Sequence, residues 1–319
     1  MNPSKLINTF SQSASFEMLS ELINNDTLHV IAKGMVGSSV ALAVTSLFNQ
    51  KGKQQHIVVL PEKEQAAYFY NDVENLLDEA NSELNQKKVL FYPTSYKRPY
   101  EPETVDRAYQ LSRTEVLKRT ISGDKKTIII TYPEALAEKV ITKKYLNSSL
   151  MKLKKGEEVS LDFISDLLFE FEFDHVEFVA EPGQFAIRGG IVDVFSFSNE
   201  HPYRIEFFGD EVESIRTFDP STQLSIQQLN RITLLPNIQS RELVQDRVGF
   251  LDYIPASTIF WFDDMEFVLD RIDKEYEKAI EGFAKLEDTS NINTPQLLFN
   301  SKEYFEDKIP NFSTIEFSS

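Results

Sequence analysis

No cysteine occurs in the 319 residues, which excludes disulfides and thiolate chemistry and suits a reducing compartment. Long apolar runs are missing too. None approaches the length that spans a bilayer, and the opening MNPSKLINTFSQSASFEML holds no stretch long enough for a signal peptide. The chain is therefore expected to be soluble, cytoplasmic and free of membrane contact. Histidine is scarce: His29, His56, His175 and His201 lie far apart, with no HExxH-type spacing. Structural roles are expected for them, with no metal site and no cofactor. Neither GxGxxG nor GxSxG is present. Positive charge is also short, at 33 Lys and Arg against 50 Asp and Glu, a net −17. Residues 1–150 are nearly balanced, with 18 basic and 17 acidic residues, whereas 151–237 carry 7 and 16, and 238–319 carry 8 and 17. Duplex DNA binding rests on phosphate neutralisation by Lys and Arg, so most of this chain would repel a phosphate backbone.

What is present is enough apolar material for real cores, 41% of residues, in a chain long enough for two or three domains. The first 140 residues read as repeated strand–helix units. Leu28–Ala32, His56–Leu60, Val89–Tyr92 and Thr127–Thr131 have the short apolar character of buried strands. Helical stretches fall at Val40–Gln50, Glu62–Glu83 and about Val105–Ile121. Such alternation predicts a parallel sheet covered on both faces. The polar run Asn147–Ser149, then Lys152–Glu158, interrupts it and marks a boundary. An amphipathic helix near Asp162–Phe171 and a strand-rich segment follow. Beyond Pro236, Thr258–Phe262 reads as another buried strand that returns to the first sheet, and Asp264–Lys285 as a long acidic helix. The tail from Asn291 to Ser319 has weak periodicity and no clear end. The expected division is 1–148 and 238–319 as two parts of one α/β domain, cut short at its C-terminus, with a small α+β domain inserted over 149–237.

The strand–Gly-loop–helix at Leu28–Gln50 sits where a P-loop NTPase keeps its phosphate loop. The pattern GxxxxGK[S/T] needs glycines for close backbone approach, Lys for the phosphates and a hydroxyl for magnesium. Here the loop is Gly34-Met35-Val36-Gly37-Ser38-Ser39-Val40-Ala41. Ser39 stands for the last glycine, Val40 for the lysine and Ala41 for the hydroxyl. The fold class expected is thus α/β, a P-loop-NTPase-like parallel sheet with a degenerate nucleotide site, and no catalytic residue. Asp263-Asp264, after the 258–262 strand, occupies the place of a magnesium-holding acidic pair. Without the lysine it reads as solvated or as a cap on the following helix. Tyr92, Tyr96 and Tyr100 admit a base-stacking reading, but turn and core-edge packing is the simpler one.

The most informative stretch is Glu181–Gln223, which holds Gly183, Gly189, Gly190 and Gly209, four of only 11 glycines. Tight turns between short strands are expected there. In Tyr203–Phe208 a period of two places Tyr203, Ile205 and Phe207 on one face and Arg204, Glu206 and Phe208 on the other. An aromatic flanked by charges on a solvent face is what a protein-binding surface looks like. Two arrangements stand open on pattern alone. Either the arginines and Phe208 face a partner, or Arg188 and Arg204 pair internally with Glu206, Asp193 or Asp210 while Phe208 turns inward through a bulge beside Gly209. Asp193, inside an apolar strand, has the pattern of a buried hydrogen-bonding residue, and Gly189-Gly190 that of the turn presenting Arg188.

With its glycines, charges and aromatics in that order, Glu181–Gln223 resembles the small α+β domain shared by the excision-repair helicase UvrB and the transcription-repair coupling factor, Mfd. The resemblance is strong over 155–237, moderate over 25–150 and loose beyond. UvrB keeps an intact phosphate loop and a long tyrosine-rich hairpin; Mfd has a degenerate loop and lacks the hairpin. Here Tyr92–Tyr100 leads almost directly into the helix near Val105, so the chain resembles the N-terminal UvrB-like region of coupling factors. That resemblance implies docking onto the damage sensor UvrA, with Arg188, Arg204 and Phe208 as contacts and Glu206 and Arg216 as weaker additions. It implies a monomer with no ATPase of its own, which reaches RNA polymerase and DNA only through regions not contained in this chain. Two other readings follow from the same family: a UvrB-like ATP-dependent helicase subunit, or a scaffold that holds a motor inactive with no direct partner.

Overall fold

The computed structural model describes residues 3–24, 28–50, 54–101, 107–123, 126–148, 150–235, 247–290 and 292–317. The chain divides into two compact units, Met1–Val140 with Arg241–Ser319, and Ile141–Ser240.

The first unit is built on six short strands, in the order 29–31, 313–316, 259–262, 56–59, 128–131 and 89–91. Every neighbouring pair is parallel. The strands His56–Val59, Ile128–Thr131 and Ile259–Phe262 are buried at every position. Their apolar runs do not alternate because both sheet faces are covered. The 259–262 strand lies beside 56–59, which is the return to the first sheet that its sequence suggests.

Three expectations need correction here. The tail is not shapeless: Ser313–Glu316 inserts between the 29–31 and 259–262 strands. A strand of only four residues, three of them polar, carries too little period to read. Thr314 is buried there with its hydroxyl 2.8 Å from His29 Nδ1. The strand near Leu28 is not fully buried, because among the described residues it pairs only with 313–316, and Ile31 is 54% exposed at that edge. The helix expected to reach Glu83 spans only Lys63–Leu76. Asp78 adopts φ +59, outside the helical region, and stops it. Glu79 then accepts from the backbone N–H groups of Lys88 and Val89 at 2.6 and 3.2 Å, fixing the start of the 89–91 strand.

The second unit is a six-stranded sheet in the order 225–229, 211–218, 203–208, 191–194, 184–188 and 174–175. It is antiparallel except for its last pair. Helix Leu161–Glu170 begins on Ser160, whose hydroxyl accepts from Phe163 N–H at 3.2 Å. Ile164 and Leu168 from this helix join Val192, Ile205, Val212 and Ile215 in the core. The polar run Lys152–Glu158 is more than a boundary. Its first residues belong to the strand Met151–Lys154, which alternates buried and exposed and pairs antiparallel with Arg231–Leu234. The strands 151–154 and 231–234, near the two ends of this unit in sequence, are therefore neighbours.

Candidate functional site

The alternation in Tyr203–Phe208 holds: Tyr203, Ile205 and Phe207 are buried against the helix, and the other three residues face outward. Register extends that outer face across the sheet. One row runs Ala186, Asp193, Arg204, Arg216 and Gln228; the next runs Arg188, Ile191, Glu206 and Ser214. The 184–188 and 203–208 strands run in the same direction, so Arg188 and Phe208 lie at one end of the sheet. The turn between the 184–188 and 191–194 strands is Gly189-Gly190. At Gly190 a Cβ would stand 2.8 Å from the carbonyl oxygen of Phe207. Only glycine admits that approach, and Gly190 O accepts there from Phe207 N–H at 2.7 Å.

Asp193 is the centre of the face, 1% exposed. Its Oδ1 accepts from Arg204 Nε at 2.7 Å, and its Oδ2 accepts from Arg204 Nη2 at 2.8 Å and from Arg188 Nη2. Arg204 Nη2 also donates to Gln223 Oε1 at 2.8 Å, and its guanidinium lies 4.3 Å from the Phe218 ring centroid. A forked pair of this kind combines charge with fixed geometry. The bond to Asp193 raises the Arg204 pKa further, so this cation is permanent. Glu206 forms a second pair: Arg216 Nη2 donates to it at 2.5 Å and Ser214 Oγ at 2.6 Å. The hydrogen bonds from Arg216 and then Ser214 hold the Glu206 carboxyl down to about 2.

The two open arrangements thus each contribute a part. Arg188 and Arg204 do pair internally, and with Asp193. Phe208 does not turn inward: the strand irregularity lies one step earlier, between Glu206 and Phe207, and Phe208 is 76% exposed. The structure brings Arg188, Arg204, Glu206, Arg216 and Phe208 onto one face. Sequence reasoning passed over Phe178, exposed at 60% beside Arg188. Its flanking valines, Val176 and Val179, pack on the Ala186–Phe195–Phe218 cluster and so break the alternation that would have revealed it.

The phosphate-loop candidates lie elsewhere, in the first unit. Gly34 and Gly37 take φ +82 and +57, and Ser38 precedes the helix Ser39–Asn49. Val40 and Ala41 are both buried in the core. Asp264 accepts from Phe267 N–H at 2.9 Å as the cap of helix Met265–Ala284. Burial, with Asp264 and Glu316 nearby, raises the Asp263 carboxyl above its usual range. Tyr92 stacks on Phe250 at 4.4 Å, and Tyr96 donates to Glu275 Oε1 at 3.1 Å. Tyr100 donates to the Asn293 carbonyl at 2.7 Å, so all three tyrosines are engaged in packing. Residues 102–106, where the short path into the next helix was read, lie outside the described residues. Among the described residues no group of three or more His, Asp or Glu is placed to hold a metal ion, and no helix is long and apolar enough to cross a membrane.

Residues 151–239 match the family model of the UvrB interaction domain. Over 239 residues the chain is 26% identical to the transcription-repair-coupling factor of Bacillus subtilis, covering 75% of this chain and 19% of that protein. It is 28% identical over 208 residues to the coupling factor of Haemophilus influenzae, covering 65% and 17%. It is also 25% identical over 232 residues to the UvrABC system protein B of Thermosipho africanus, covering 67% and 33%. The chain spans less than a fifth of these coupling factors and a third of that UvrABC protein.

Proposed function

We propose that this chain, a UvrB-like region carrying a UvrB interaction domain and related to transcription-repair-coupling factors, recruits UvrA to excision repair by protein docking. The observation that carries the reading is the outer face of the second unit. There an exposed Phe208 stands beside three arginines and two carboxylates, inside the segment that matches the interaction domain. The face places Arg188, Arg204 and Arg216 within a strongly acidic unit, so it suits a partner with carboxylates around an apolar recess. Arg188, Arg204 and Phe208 are the proposed contacts, with Glu206 and Arg216 ordering the edge.

In this reading the first unit is a P-loop-like sheet that does not hydrolyse ATP. The support is the burial of Val40 and Ala41, where an NTPase would present a lysine and a hydroxyl. Polymerase and DNA engagement would belong to other parts of a coupling factor. The test is titration of the whole chain with UvrA, beside an Arg204→Ala/Phe208→Ala variant shown by circular dichroism to be folded. Binding lost in the double variant supports the reading. Binding retained by it would move the site, and none by the wild type would refute recruitment.

A further inference from the structure

Three contacts hold the Arg188 guanidinium, and two of them run to one short segment. Nη2 donates to Asp193, Nη1 donates to the Glu177 carbonyl at 2.9 Å, and the group lies 5.1 Å from the centroid of the Phe178 ring. On either side of Phe178, Val176 and Val179 pack inward, Val179 at 1% exposure. The segment is therefore pinned at both flanks and clamped from above by the arginine. Phe178 alone is left outward. An isolated exposed phenylalanine would be ordinary. This one is held in place by a buried carboxylate acting through a cation on its ring.

Its position matters as much as its exposure. Arg188 is level with Glu206, two strands away, or about 10 Å at ordinary strand spacing. Phe208 lies two residues further along the same strand, at the same end of the sheet. Phe178 and Phe208 thus stand on either side of Arg188 at one end of the sheet, beyond the row of Asp193 and Arg204. Arg204 forms its bonds to Asp193 and Gln223 through Nε and Nη2, and Nη1 remains to meet a carboxylate.

We propose that Phe178 is a second apolar anchor of the docking face and that Arg188, besides its own contact, is the residue that positions this ring. This rests on the reading that the face binds UvrA. It specifies the complementary UvrA surface as two apolar recesses with an acidic group to one side of them that meets Arg204. Clusters of aromatic anchors around a desolvated centre are the usual form of an interface hot spot.

The test is calorimetric titration of the whole chain with UvrA, at low and high salt. It compares Phe178→Ala, Phe178→Leu, Arg188→Ala, the Arg188→Ala/Phe178→Ala pair and Phe208→Ala. Phe178→Ala is expected to weaken binding about tenfold or more while keeping the salt dependence of the wild type, because no charge is lost. Phe178→Leu should recover most of that loss. Arg188→Ala should weaken binding too, and the pair should lose clearly less than the sum of the two single losses, since part of the arginine's effect runs through the ring. Wild-type affinity in Phe178→Ala together with loss in Phe208→Ala would overturn the second anchor and leave UvrA docking intact. Additive losses in the pair would overturn the positioning role of Arg188. A wild-type chain that does not bind UvrA would overturn the docking reading and this inference with it.

Discussion

Asp193 shows how a single residue can serve stability and presentation together. A buried carboxylate is tolerable only when paired and hydrogen-bonded, and this one accepts from two arginines on two strands. Asp193→Ala should cost about 2 kcal/mol or more, measured as a lower urea midpoint. The full penalty of an orphaned charge is not reached because Arg188 is 36% exposed and can rehydrate. Gly190 gives a second prediction at this scale. Gly190→Ala places a Cβ against the Phe207 carbonyl, so the turn must shift. The expected loss is about 1–3 kcal/mol, with weakened UvrA binding because Arg188 and Phe207–Phe208 move together. Much of this was legible in sequence. Asp193 stands out as the one carboxylate in an apolar strand, and the paired glycines stand out as a turn. The partner chosen by each arginine was not legible, because Asp193, Glu206 and Asp210 are equivalent until register is known. Phe178 escaped because two inward valines, three residues apart, do not fit a strand period.

Among the elements, the strand 56–59 carries a titratable load. His56 is fully buried, and its Nδ1 accepts from Trp261 Nε1–H at 3.1 Å across the sheet. Burial, with the nearby Lys126 cation adding to it, pushes its pKa down to about 3. The unfolded chain binds a proton there below about pH 6.5, whereas the folded chain does not until near pH 3. Stability from this group is therefore complete above about pH 6.5 and is lost as pH falls toward 3. The slope is bounded by about 1.4 kcal/mol per pH unit. Between pH 6.5 and 5, before carboxylates titrate heavily, His56→Gln should flatten the decline in the urea midpoint of the chain. An unchanged decline would place the proton uptake elsewhere. Short unbroken apolar runs made the central strands readable, since burial on both faces needs no period. The 313–316 strand was not readable. It is short and mostly polar, and its neighbours, 285 residues away in the case of His29 and Thr314, supply what its own sequence lacks.

For the molecule as a whole, the proposed reading is one without nucleotide hydrolysis or a grip on nucleic acid. A net −17 disfavours a sequence-independent grip on DNA, and Val40 and Ala41 are buried where a phosphate loop would present its lysine and hydroxyl. No saturable ATP binding is expected in titrations up to millimolar nucleotide. Saturation with a magnesium requirement would instead favour the reading that places the chain with UvrB-type helicase subunits. The parallel order of strands was legible as a class from the strand–helix alternation. The order of strands within the sheet was not, because that depends on the short returning strands.

The central claim is that the outer face of the second unit recruits UvrA. Its most direct test is the calorimetric titration of the whole chain with UvrA, set against a folded Arg204→Ala/Phe208→Ala variant. The account predicts measurable binding by the wild type and a loss of about thirtyfold or more in the variant. Equal affinity in both would contradict the placement of the site, and no binding by the wild type would contradict the recruitment itself.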